Sequence, residues 1–170
     1  GTGYYDTQDI RSVKMKIDNV KANDPKMDAF WATATLITTS APTSKSITLY
    51  RALAQVNFGT IMPEREDALN VKSSAVNLTS VPDTFHPFFG NKSTACEGKV
   101  DIKFQNNTAI ADEKLTVNGV DYSYMATAYV FAPKSASLIT DASTTVTLDN
   151  GRTTTVKAPN APIQGNYRTN

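Results

Sequence analysis

Cysteine is nearly missing from this chain of 170 residues: Cys96 stands alone, so no disulfide can close within it. A lone thiol of this kind is expected to serve as a small buried hydrophobe. Histidine is as scarce, and a single copy, His86, excludes a multi-histidine metal centre by count. Neither sign of charge is in excess. Seventeen basic and 16 acidic residues leave a formal net charge of +1, with no basic cluster to displace the counterions of a nucleic acid or an anionic membrane. Long hydrophobic runs are also lacking. The longest, Ala128-Tyr129-Val130-Phe131-Ala132-Pro133, is far short of the roughly 20 residues a spanning helix needs, so no transmembrane span is expected. No secretory signal heads the chain, and Gly1-Thr2-Gly3 does not read as a native start. The expectation is therefore a single domain over residues 1–170, a truncated or processed piece of a longer precursor. At this length one sizeable core is affordable and two are not. Repeats, long amphipathic helices and calcium-loop spacings are missing too. The acidic clusters Asp112-Glu113 and Glu64-Arg65-Glu66-Asp67 read as solvated turns.

What is present alternates. From Ile47 to Phe58, Tyr50, Ala52, Ala54, Val56 and Phe58 share one face, as period two requires of a long strand lying across a core. Arg51 falls between Leu49 and Leu53. It is expected either to pair with a carboxylate in the sheet or to lie at the margin with its stem over apolar surface. Arg11 to Ile17, Phe30 to Ile37, Ser73 to Val81 and Lys99 to Phe104 give further strands. In these, Val13, Met15, Val100, Ile102 and Phe104 point inward. Asp24-Pro25 starts a short helical turn, and Pro63 to Leu69 reads as another. Asn118-Gly119 supplies the two positive φ values of a type I′ turn, pairing Val117 with Val120 and Leu115 with Tyr122. Asn150-Gly151 marks a second hairpin, for which a bulge or longer loop is expected. Many short strands with Gly, Pro and Asn turns predict an all-β sandwich with one or two helical turns.

Three segments, in order, resemble fimbrillin-like surface proteins of the Bacteroidales. They are Arg51-Ala52-Leu53-Ala54-Gln55-Val56-Asn57-Phe58-Gly59, the hairpin and tyrosine-rich strand from Val117 to Pro133, and Asn166-Tyr167-Arg168-Thr169-Asn170. The resemblance implies an antiparallel Greek-key β-sandwich of transthyretin-like topology. It also implies export to the cell outer membrane surface as a lipoprotein or fimbrium component. The function it implies is that of a non-enzymatic structural subunit of a fimbria or pilus. Its partners would be other copies of itself or related pilins, joined when a donated strand fills a groove by β-augmentation. In that family the Asn166 to Asn170 stretch leads into a further strand. This predicts a tail poorly anchored from about Gln164 onward, with Asn166, Tyr167, Arg168, Thr169 and Asn170 as the assembly segment.

The rival expectation is a monomeric surface lipoprotein or tip adhesin holding a host glycan or protein. Its loop would carry Phe85, His86, Phe88 and Phe89, aromatic side chains able to stack on a sugar or anchor a partner. The plainer expectation for the same phenylalanines is that they cap one end of the core. No catalytic or cofactor-binding constellation is expected, and no cofactor or metal.

Overall fold

Val, Thr and Tyr crowd the alternating segments because branched and aromatic side chains suit a pleated, half-buried surface. The computed structural model describes residues 3–33, 44–61, 71–89, 96–107 and 114–170, and in it these segments are strands. In chain order they are β1 (Tyr5–Asp6), β2 (Val13–Met15), β3 (Phe30–Trp31), β4 (Tyr50–Arg51), β5 (Leu53–Ile61), β6 (Val71–Val81) and β7 (Thr84–Phe85). After them come β8 (Cys96–Glu97), β9 (Val100–Asn107), β10 (Lys114–Val117), β11 (Val120–Phe131), β12 (Ser137–Leu148), β13 (Thr153–Ile163) and β14 (Arg168–Thr169). Helix among the described residues is confined to 3-10 turns at Ile17–Asn19, Pro25–Met27 and Pro87–Phe89. The fold is an all-β sandwich.

One sheet has the order β10-β11-β5-β14 and the other β13-β12-β6-β9. The chain crosses between them from β5 to β6, β9 to β10, β11 to β12 and β13 to β14. After its excursion through the first sheet it returns as β12 to flank β6 on the side away from β9, a Greek-key crossing. Between the sheets Ala54, Val56, Ala126, Ala128 and Val130 meet Val76, Leu78, Ile102, Phe104, Ile139 and Ala142, all buried. A smaller sheet, β1-β2-β7-β8, and the β3-β4 ribbon cover one end of this core. There the Phe131 ring lies 5.5 Å from Tyr5 and 5.7 Å from Phe85, centre to centre.

Local chemistry explains most of the boundaries. Asp24 caps the Pro25–Met27 turn by accepting from the Lys26 N–H, with proline at the first position as expected. Asn118 and Gly119 have φ of 51° and 79°, and the register Val117↔Val120 and Leu115↔Tyr122 is the predicted one. At the second hairpin the loop is longer than two residues. Leu148 N–H donates to Arg152 O, Gly151 takes φ of 81°, and strand pairing begins at Thr147↔Thr153.

Two expectations need correction, on where the long strand begins and on the tail, and β11 carries an irregularity that simple alternation does not show. The long strand begins at Leu53, not Ile47. The chain breaks at Ala52, whose N–H donates to Ala29 O, and Ile47, Leu49 and Tyr50 are exposed. Tyr124 is buried but does not share the face of Ala126, Ala128 and Val130. A bulge between Tyr124 and Ala126 shifts the pairing with β5, turning Met125 toward the core and Tyr124 toward the outer face beside Thr127 and Tyr129. The tail, predicted to be loose from Gln164, is instead bonded along its length. Gly165 N–H donates to Pro133 O, Asn166 N–H to Leu53 O, and β14 pairs in parallel with β5. The helix predicted at residues 63–69, the far half of the strand predicted at residues 30–37 and both acidic clusters lie outside the described residues.

Candidate functional site

The three segments that carry the family resemblance meet on β5. Asn57 Oδ1 accepts from Gln55 Nε2 at 2.9 Å and from Thr127 Oγ1 of β11 at 3.2 Å. Asn57 Nδ2 donates to Asn170 Oδ1 at 2.7 Å. Thr169 Oγ1 donates to Pro162 O of the opposite sheet. The motif residues therefore form a clasp that fixes β14 against β5 and over the end of β13. Arg51, just upstream on β4, does pair with a carboxylate, but with one that follows the Pro25–Met27 turn and lies outside the sheet. Its Nε lies 2.8 Å from Asp28 Oδ1 while its guanidinium sits 5.1 Å from the centre of the Phe30 ring.

Past the clasp one strand position is unfilled by any described residue. β14 ends at Thr169↔Val56. The N–H of Asn166 donates to Leu53 O and the N–H of Gln55 to Tyr167 O, so odd-numbered residues of β5 direct their backbone groups to this edge. The parallel pairing Thr169↔Val56 takes up the N–H of Asn57, and the same alternation turns the backbone of Gly59 and Ile61 toward this edge beyond the end of β14. The facing strand responds to this gap. Ala161 and Ile163 of β13, near β14, are buried, whereas every residue from Thr153 to Asn160 is exposed and Val156 reaches 57%. Between the two edges runs a cleft of about 410 Å³ lined by Val56, Phe58, Met125, Thr144, Val156 and Ala158 among others. Thr144 Oγ1, on its wall, is buried with no hydrogen-bond partner among the described residues. An apolar trench beside backbone groups that no described residue pairs is what an added strand would satisfy.

The loop read as a rival site is split by the fold. Phe85 is 4% exposed, stacks on Phe131 and meets Trp31 edge to face. His86 is tied down, with Nδ1 2.9 Å from Arg11 O and Nε2 3.2 Å from Glu97 Oε2. Phe88 is exposed and Phe89 ends the 3-10 turn. Cys96 packs against the core, and burial pushes its thiol up to about 12. Among the described residues no group of three or more His, Cys, Asp or Glu converges as a metal site, and no helix is long and apolar enough to cross a membrane.

Sequence reasoning placed the assembly segment at residues 166–170 and missed Val156 and Ala158. Their signal was present, two apolar residues alternating on an arm otherwise rich in threonine, but only the pairing order shows that nothing described covers them. No curated protein matches the chain at a significant level. A family model, described as a family of unknown function, DUF6562, matches residues 2–170, and the chain belongs to that family.

Proposed function

We propose that this protein is a non-enzymatic structural subunit of a cell-surface fimbria or pilus, exported to the outer membrane surface and joined to related copies by β-augmentation. The observation that carries the reading is the position beside Gly59 and Ile61 that no described residue fills, with the exposed Val156 and Ala158 of β13 beneath it. A strand laid there would pair with the free edge of β5 and cover Val156 and Ala158, completing both hydrogen bonding and burial. The resemblance of the β5, β11 and tail motifs to fimbrillin-like proteins supports the same reading.

The test uses the full-length protein after proteolytic maturation, with assembly read as ladders that resist SDS at low temperature. Ala158→Trp and Val156→Asp alter exposed side chains in the trench, so each isolated subunit should melt as the unaltered one does. Both variants are expected to abolish the ladders. Ladders formed equally well by both variants, or a matured wild-type protein that stays monomeric, would overturn the reading.

A further inference from the structure

On the outer face of the sheet β10-β11-β5-β14, turned away from the core, a second cleft of about 370 Å³ crosses three strands. That volume lies within the about 300–1,000 Å³ of small-molecule sites. Thr127, Tyr129 and Tyr124 of β11 and Gln55 of β5 line it, with Asn23 and Pro25 at one side and Arg168 of β14 at the other. The fold sets each of these deliberately. Asn23 is held on the free edge of β11 by its N–H to Thr127 O at 2.8 Å and by Thr127 N–H to its Oδ1 at 2.7 Å. Arg168 is placed on the same face as Gln55 by their parallel pairing. The bulge at Met125 is what brings Tyr124 to this face at all.

The chemistry of the lining is mixed in a specific way. The half-buried Tyr129 ring and Pro25 offer apolar surface, with the edge of the largely buried Tyr124 beside them, while amide, hydroxyl and guanidinium groups alternate with them. A hydrocarbon ligand would strip water from Arg168 and Gln55 and return nothing. A flat pyranose ring matches both halves, with C–H faces against aromatic rings and hydroxyls toward amides. Charge narrows the class further. Arg168 is exposed, makes no ion pair with a described residue, and no acidic residue lines the cleft. A planar guanidinium favours a bidentate anionic oxygen pair. We infer that this cleft binds a saccharide carrying an anionic substituent, a carboxylate or a sulfate, with Tyr129 beneath the ring and Arg168 on the charge. The site is separate from the unfilled strand position and does not depend on assembly.

Binding of the whole chain is measured on immobilised oligosaccharides in three sets (neutral, carboxylated and sulfated), with polyglutamate as a non-sugar polyanion. The chain is expected to bind at least one anionic set and to bind the neutral set more weakly. Loss of a charge-assisted contact is worth about 1.5–3 kcal/mol, so Arg168→Gln should weaken binding about ten- to hundredfold. Tyr129→Ala should weaken it as well, and Phe88→Ser, on the opposite aromatic loop, should leave it unchanged. Circular dichroism of each variant separates lost binding from lost folding, and Arg168→Lys serves if the glutamine variant misfolds: it keeps the charge but loses the planar fork. Binding to no saccharide, binding insensitive to Arg168 and Tyr129, or equal binding to polyglutamate would each overturn the inference. Binding abolished by Phe88→Ser instead would also overturn it.

Discussion

Asn57 shares one amide among Gln55 of its own strand, Thr127 of β11 and Asn170 just past β14. Asn57 is 5% exposed, so truncation leaves the buried Thr127 hydroxyl without its acceptor and frees the tail from β5, while Gln55 and Asn170 can turn to water. Asn57→Ala should cost about 1–3 kcal/mol in urea unfolding, and hydrogen exchange should quicken at Gln55, whose N–H bonds to the tail. Cys96 is the opposite kind of residue. Its thiol, pushed up to about 12 by burial, should stay unlabelled by a thiol reagent at pH 8 in the folded protein and react at once in denaturant, as the thiolate is the nucleophile. Asp24 offers a pH test. The Tyr4 hydroxyl bonded to it, first of all, and the Lys26 N–H hold its carboxyl below the usual carboxylate range. A lowered folded-state value stabilises above the unfolded value and loses that contribution as pH falls through the folded one. Asp24→Asn should therefore unfold more easily than the wild type near neutrality, and the two urea midpoints should approach each other in acid.

Elements with their own turn chemistry were the legible ones. The Asn118-Gly119 hairpin could be read to the residue because turn geometry and apolar register demand the same pairing. Gly119 has open space around its missing Cβ, so Gly119→Ala meets no neighbour and pays only for a left-handed backbone, about 1–2 kcal/mol, measurable by thermal unfolding. Gly98 is the harsher case. Its φ is also positive, and an added Cβ would fall 1.9 Å from Asp83 Oδ1, so Gly98→Ala should destabilise more than Gly119→Ala does. Strand limits were less legible. The alternation from Ile47 to Phe58 is real in sequence, yet Tyr50 and Arg51 pair with β3 while Leu53 onward pairs with β11. Periodicity reports which side chains share a face, not which neighbour the backbone has. The bulge at Met125 was invisible for the same reason, since a single inserted residue reverses facing without changing composition.

At the scale of the molecule, the all-β sandwich follows from its many short alternating segments, and the small residues of β5 and β11 mark the faces that meet the opposite sheet. Val56→Asp should prevent soluble folding, because it places an unpaired charge at 3% exposure between the sheets. A normal melting temperature for that variant would move β5 to the surface. Neither cleft could be located in the sequence. Each is made by strands far apart in the chain, β5 with β13 in one case and β11 with β14 and Asn23 in the other.

The place where β14 stops along β5 has a consequence for symmetry under the proposed strand exchange. An edge that receives a strand is a different surface from the segment that supplies one, so contact between copies through it would be heterologous. A two-fold dimer uses the same patch twice and stops growing, whereas such a contact would leave one edge vacant at each addition. Copies joined in the proposed way would form a row with distinguishable ends, growing from whichever end still presents the edge of β5 beyond β14.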